Sequence, residues 1–187
     1  MSMKDSYEKL AAGGGQAWKR LYDEVSPGLY RFILSRVGDS SSAQDIMQEG
    51  FFRLARSLGK LKDSQAVKSW LYSTCYRLTV DWHRHNSHFQ EEDLGQVRDL
   101  EDDPLTRVIQ QEEDEGVLKA VMSVSDPHRT VLMLRIWGEL SYSEISEITG
   151  LSEGTLRSQF YWAVRKLRRL LKSGESEKVV EDVSENE

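Results

Sequence analysis

The sequence predicts an all-α protein of two helical domains joined by an acidic linker, and three observations carry that prediction. Apolar residues recur at three- and four-residue spacing almost throughout the 187 residues. No stretch sustains the apolar-polar alternation of a half-buried strand. Charge is distributed in blocks: residues 1–88 hold 13 Lys and Arg against 9 Asp and Glu, and residues 117–172 hold 9 against 5. Residues 89–116 between them hold 2 against 11, and residues 173–187 hold 1 against 6. Two basic bodies are thus separated by an acidic linker and followed by an acidic tail, an asymmetry that suits a nucleic-acid binder and that the net charge of -6 conceals.

In the first body a short helix is expected from Tyr7 to Ala12, broken by Gly13, Gly14 and Gly15. A second carries Trp18, Leu21 and Tyr22 toward Val25, and Pro27 suits the first turn of a third that runs through Leu29, Phe32, Ile33 and Val37. The turn GDSSS at 38–42 offers an N-cap to a long helix with apolar positions Ala43, Ile46, Met47, Phe51, Leu54, Ala55 and Leu58. Gly50 stands inside that helix at a cost of about 1 kcal/mol relative to alanine, and the sequence gives no account of it. A further helix, AVKSWLYSTCYRLTVDWHRH, has a stripe of Val67, Trp70 or Leu71, Thr74 and Leu78, and would close a bundle of four or five helices.

The second body is introduced by the polar stretch NSHFQEEDLGQVRDLEDDP, a linker that need not order by itself. A helix from Leu105 through Met122 follows, then one from Pro127 to Trp137 with Asp126 as N-cap. In SYSEISEITG, Ile145 and Ile148 share one face of a short helix, Gly150 gives the turn, and Ser152 caps a longer helix, which is the helix-turn-helix arrangement. On that longer helix Leu156, Phe160, Ala163, Leu167 and Leu170 fall in one buried arc at about 100° per residue. Gly154, Ser158, Tyr161 and Arg165 lie opposite, flanked by Arg157 and Trp162. A face that is small and hydroxylic at its start and cationic further along fits a major groove, with base edges read first and phosphates paired after. Packing against another domain is the other use open to Trp162. The tail EKVVEDVSENE is either without fixed structure or an acidic extension that competes with DNA for the basic faces.

Several function classes are excluded or disfavoured. No apolar run approaches the roughly 20 residues that span a bilayer, and MSMKDSYEKL has no signal-peptide core, so a soluble cytoplasmic protein without membrane insertion is expected. The single cysteine, Cys75, cannot form an internal disulfide. With His83, His85 and His88 it could in principle hold zinc, but the spacing matches no zinc signature and no metal or cofactor is expected. An enzyme is not expected either, for there is no phosphate-binding glycine loop and no nucleophile with its base.

At this point the residues resemble a known family. GELSYSEISEITGLSEGTLRSQFYWAVRKLRR resembles the region-four module of bacterial sigma factors of the extracytoplasmic-function (ECF) group of the sigma-70 family, position by position through Ser158. LYRFILSRVGDSSSAQDIMQEGFFRLAR resembles sigma region two, with Gly38, Asp39, Ala43, Asp45, Gln48 and Glu49 at the family's spacing. VKSWLYSTCYRLTVDWHRH resembles the next segment of region two at Trp70, Leu71, Tyr72, Asp81 and Arg84. The resemblance covers residues 7–172. It implies a region-two bundle over 1–88, a linker and helix start over 89–116, a winged-helix-like region-four domain over 117–172, and a tail over 173–187.

The resemblance also implies partners and site residues. Core RNA polymerase would be bound through the clamp helices of its largest subunit, at Asp45, Gln48, Glu49 and Arg53, and through the flap of its second-largest subunit. The minus-ten promoter element falls to Lys62, Lys68, Tyr72, Tyr76, Arg77, Trp82 and Arg84, where aromatic rings can stack on melted bases and cations can pair with phosphates. The minus-thirty-five element falls to Arg135, Ser152, Glu153, Gly154, Thr155, Arg157, Ser158, Gln159, Tyr161, Trp162 and Arg165. An anti-sigma factor is implied as a third partner, and the acidic linker would lie in the polymerase's RNA exit path. Three residues depart from the pattern: Gln159 where arginine is common, Trp162 where arginine or lysine is common, and Arg77 in place of asparagine. A stand-alone helix-turn-helix regulator with a sensing or dimerising bundle is the rival reading; it would bind specific DNA without polymerase.

Overall fold

The computed structural model describes residues 14–58, 61, 64–86 and 120–184, with side chains from residue 66 in the third helix and to residue 170 in the last. The helix expected at Tyr7–Ala12, the linker and the helix start at Leu105 lie outside the described residues. The helices are α1 Gly15–Val37, α2 Ser40–Ser57, α3 Ser64–Asn86, α4 Asp126–Ile136, α5 Tyr142–Thr149 and α6 Glu153–Ser184. Residues 120–122 are helical as well. No strand occurs among the described residues, so the helix-turn-helix carries no β-wing there.

One helix runs through Pro27, where two were expected. Proline removes one backbone donor and crowds the carbonyl four residues back, at Asp23. Asp23 is an exposed position where water can serve that carbonyl, while Val25, Ser26, Leu29 and Tyr30 are buried around the proline and hold both halves of the helix in line. The chain turns at Gly38, and the Asp39 carboxylate accepts from the Ser42 backbone N–H at 2.7 Å to start α2, a cap worth about 1 kcal/mol. Gly50 now has a reason. A Cβ there would lie 2.5 Å from the Cys75 Sγ of α3, so glycine lets the two helices approach. On α3, Val67, Leu71, Thr74 and Cys75 are buried; Leu71 takes the stripe position and Trp70 packs beside it, half-buried. The described N-terminal module is therefore three helices, α1 having absorbed two expected ones.

In the second module Ser125, not Asp126, is the N-cap of α4. The Asp126 carboxylate is drawn away to Arg36 and Arg129, at 3.3 Å from each. At α5 the capping box is complete: the Glu144 N–H donates to Ser141 Oγ at 3.2 Å, and the Ser141 N–H donates to Glu144 Oε2 at 2.8 Å. Gly150 reverses the chain at φ 75°, and Ser152 Oγ accepts from the Thr155 N–H at 3.2 Å to open α6. Ile145, Ile148, Leu156 and Ala163 are buried in the same apolar core as Leu132, Met133 and Leu134. The last helix runs to Ser184, past the Lys172 boundary where composition led us to expect an unstructured tail. Its final stretch, KSGESEKVVEDVS, holds no proline and one glycine, so nothing local ends it earlier.

The two modules share one core. Buried residues of α1, α2 and α3 are continuous with those of α4, α5 and α6, with α1 against α4 and α3 against α5.

Candidate nucleic-acid interface

α6 presents the face that the arc of its apolar residues left open. Gly154, Thr155, Ser158, Tyr161, Trp162 and Arg165 are all exposed, and Ser152 and Glu153 stand exposed at the helix start. Tyr161 and Trp162 are 59% and 49% exposed, so among the described residues no other module packs over Trp162. Their rings meet edge to face at 5.4 Å, and the Arg165 guanidinium lies 5.1 Å from the Trp162 ring centroid. Arg168 and Arg169 extend the cationic side.

Two expected readers are engaged elsewhere, and a third is half-buried. Arg157 pairs with Glu153 at 2.9 Å, with its guanidinium 4.5 Å from the Tyr142 ring centroid. Gln159 is half-buried, its Oε1 enclosed without a hydrogen-bond partner. The Arg135 guanidinium lies 4.8 Å from the same Tyr142 ring centroid, and Arg135 donates to the Leu140 carbonyl, bracing the turn between α4 and α5. The outer face of α6 is therefore dominated by a hydroxyl, two aromatic rings and arginines.

The minus-ten set does not form one surface. Lys62 lies outside the described residues. Lys68, Tyr72 and Tyr76 are four apart, hence on one side of α3, and that side faces α1 and the second module. The Lys68 ammonium pairs with the Glu139 carboxylate at 2.7 Å, and the fully buried Tyr72 donates its hydroxyl to the Trp137 carbonyl at 3.3 Å. Burial pushes the Tyr72 phenol well above its usual range. The Tyr76 ring carries the Arg36 guanidinium at 4.8 Å. Arg77 and Arg84 are exposed on another side, bonded to Ser73 at 2.7 Å and Asp81 at 3.3 Å, and Trp82 packs half-buried against the core.

Arg36 is the residue that the sequence did not flag. It is buried on α1, its Nε donating to Thr79 Oγ1 of α3 and its Nη1 to Thr130 Oγ1 of α4, each at 2.7 Å, with Asp126 at 3.3 Å. A guanidinium in an apolar core costs several kcal/mol unless its donors are met; here α3 and α4 meet them together. At the other end of α4 the following turn holds Glu139 at φ 53°, a left-handed conformation that costs a non-glycine residue on the order of 1 kcal/mol. The Lys68 ammonium holds the Glu139 carboxyl below the usual carboxylate range.

The polymerase-contact set lies on the outer side of α2. Asp45 and Gln48 are exposed, and Glu49 pairs with Arg53 at 2.7 Å. The centre of that side is Phe52, 58% exposed, with the Arg56 guanidinium 5.5 Å from its ring centroid. Sequence reasoning placed Phe51 in the core and passed over Phe52. The signal was present, since adjacent helical residues point about 100° apart and both rings of the pair cannot face inward. Among the described residues no group of His, Cys, Asp and Glu could hold a metal ion, and no helix is long and apolar enough to cross a membrane.

Comparison with known proteins agrees with the resemblance read from the sequence. The description of sigma-70 region 2 matches residues 21–89, and that of sigma-70 region 4 matches residues 115–167. The ECF RNA polymerase sigma factor BldN of Streptomyces coelicolor is 30% identical over 174 residues, covering 90% of this chain and 66% of that protein. The RNA polymerase sigma factor YlaC of Bacillus subtilis is 26% identical over 184 residues, covering 96% of this chain and all of that protein. In fold, the chain is similar to the sigma factor RpoE of Bartonella quintana, solved with the anti-sigma factor NepR, at a TM-score of 0.64 and 21% identity over 83% of this chain and 96% of that one. Two matched regions in the right order, joined by ECF relatives along nearly the whole chain, place it: the protein belongs to the sigma-70 family of RNA polymerase sigma factors, in the ECF group.

Proposed function

We propose that the chain binds core RNA polymerase and directs it to promoters through two DNA elements. α6 reads the upstream, minus-thirty-five element, and α3 receives the melted minus-ten strand. The outer side of α2, around Asp45, Gln48, Phe52 and Arg53, meets the clamp helices of the largest subunit, and the second module meets the flap of the second-largest one. An anti-sigma factor is the third partner in this reading, and the cytoplasm, where polymerase and promoters are, is its location.

The observation that carries the proposal is the outer face of α6, where Ser158, Tyr161, Trp162 and Arg165 stand exposed in succession beyond a capped helix start. Groove-facing side chains and phosphate-pairing cations are required in that order by a recognition helix. The test is a holoenzyme assembled from core polymerase and the full chain, selected on random-sequence duplex DNA. Arg165→Ala with Arg168→Ala should lower retention on the selected DNA about tenfold, with a shallower salt dependence, and leave core binding intact. Unchanged retention would remove α6 as the DNA contact. Selection of the same DNA by the chain without polymerase would favour the stand-alone regulator instead.

A further inference from the structure

Arg157 is held on two sides without being used up. Its Nη2 donates to Glu153 Oε2 at 2.9 Å, one turn back on α6, and its guanidinium lies 4.5 Å from the ring centroid of Tyr142, the first residue of α5. The side chain is nonetheless 61% exposed. A guanidinium carries five N–H donors in a planar fork, and the Glu153 contact takes one of them.

Tyr142 is itself fixed. The capping box of Ser141 and Glu144 sets the backbone where α5 begins. Its half-buried ring meets Phe160 of α6 edge to face at 6.3 Å and carries the Arg135 guanidinium of α4 at 4.8 Å. Three helices thus converge on one ring, and a long flexible side chain of α6 rests on it. Two guanidinium groups at the same ring repel each other, and the Glu153 carboxylate supplies the charge that offsets them.

Stability does not account for this arrangement, because an exposed ion pair between helical neighbours adds little to folding. Recognition does. A recognition helix enters the groove by its first turns, and Glu153 and Arg157 stand there, ahead of Arg165, Arg168 and Arg169. A phosphate brought to Arg157 would also meet the Glu153 carboxylate, like charge against like. A guanine edge brings two acceptors, O6 and N7, without a net charge, and matches the planar fork. An arginine whose plane is already set also loses less rotamer freedom on binding.

We propose that Tyr142 is a positioning residue for base readout: together with Glu153 it presets Arg157 to meet a guanine in the major groove of the upstream element. The proposal rests on the reading of α6 as the upstream contact, and it names one base and one reader within that contact. Tyr142 acts through Arg157.

The test uses holoenzyme assembled from core polymerase and the full chain, bound to the duplex it selects from a random-sequence library. Each upstream guanine is replaced in turn by 7-deazaguanine, which deletes the N7 acceptor and leaves base pairing intact. One position should cost the parent about tenfold in affinity, and Arg157→Ala should be indifferent to it. Tyr142→Leu keeps apolar bulk and removes the ring; it should lose most of that penalty, and Tyr142→Phe should keep it. Should Tyr142→Leu fail to fold, Glu153→Ala, an exposed change at the helix start, decides: it too should lose much of the penalty. A merely structural role for Tyr142 would weaken every duplex alike and leave the penalty unchanged, and that result would overturn the proposal. So would the full penalty in Glu153→Ala, or in Arg157→Ala with uniformly weaker binding, the signature of a phosphate contact. A selected element with no sensitive guanine would sink the preset reader and spare the function, whereas no selected element at all would sink both.

Discussion

Gly50 and Cys75 act as one packing unit across α2 and α3. Alanine at 50 would favour the helix by about 1 kcal/mol, but its Cβ would stand 2.5 Å from the thiol sulfur. Overpacking of that kind costs about 1–3 kcal/mol, so Gly50→Ala should lower the melting temperature by a few degrees. Adding Cys75→Ala should recover it; a single variant that melts higher than the parent would contradict the packing account. Burial also pushes the Cys75 thiol up to about 12, so little thiolate forms near neutrality. Maleimide at pH 8 should leave the native chain unlabelled and label it rapidly in denaturant. At Trp162 the departure from the family pattern becomes a test of readout. An exposed ring offers apolar contact with thymine methyl groups and no bidentate bond to guanine. Uracil in place of thymine in the selected upstream element should weaken holoenzyme binding to the parent severalfold and leave Tyr161→Ala/Trp162→Ala unaffected.

Among the elements, α2 is the one we propose for the polymerase contact, with Phe52 as its anchor. A large ring 58% exposed amid charged neighbours contributes little to folding and much to an interface. Phe52→Ala should weaken core polymerase binding by at least about 1 kcal/mol, roughly fivefold, without a change in melting temperature. Equal binding by the variant would move the contact off this helix. The helices themselves were legible where their ends are chemical. Asp39 before α2, Ser141 with Glu144 at α5, and Ser152 before α6 announce their starts, and Gly38 and Gly150 their turns. α1 was misread because Pro27 has a strong local preference for a first turn, which burial of Val25 and Leu29 overrides. α4 was misplaced by one residue because Asp126, a good cap on its own, answers to an arginine 90 residues earlier.

At the scale of the molecule, the expectation of two bodies on a tether gave way to two modules packed on one core. The resemblance named Lys68, Tyr72 and Tyr76 on α3, but the sequence could not show what faces Lys68 and Tyr72, because Glu139 and Trp137 come from the other module. Arg157 differs, for its partner Glu153 stands one turn away on the same helix and was legible from spacing, whereas the burial of Gln159 was not. The charged pair between the modules sets a pH dependence. Glu139 is held below its ordinary carboxylate range, so its pair with Lys68 is fully present above that range and lost as pH falls through the depressed value. The melting temperature should therefore hold through neutral pH and fall on acidification below the ordinary carboxylate range, and Glu139→Gln should melt slightly lower at neutral pH and lose less on acidification. The central claim is that this chain gives core polymerase its promoter. Mapping transcript 5′ ends from core polymerase plus the full chain on a random-sequence duplex library tests it most directly. The account predicts discrete starts preceded by two shared elements at fixed spacing, absent with core polymerase alone; starts no different from those of core polymerase alone would contradict it.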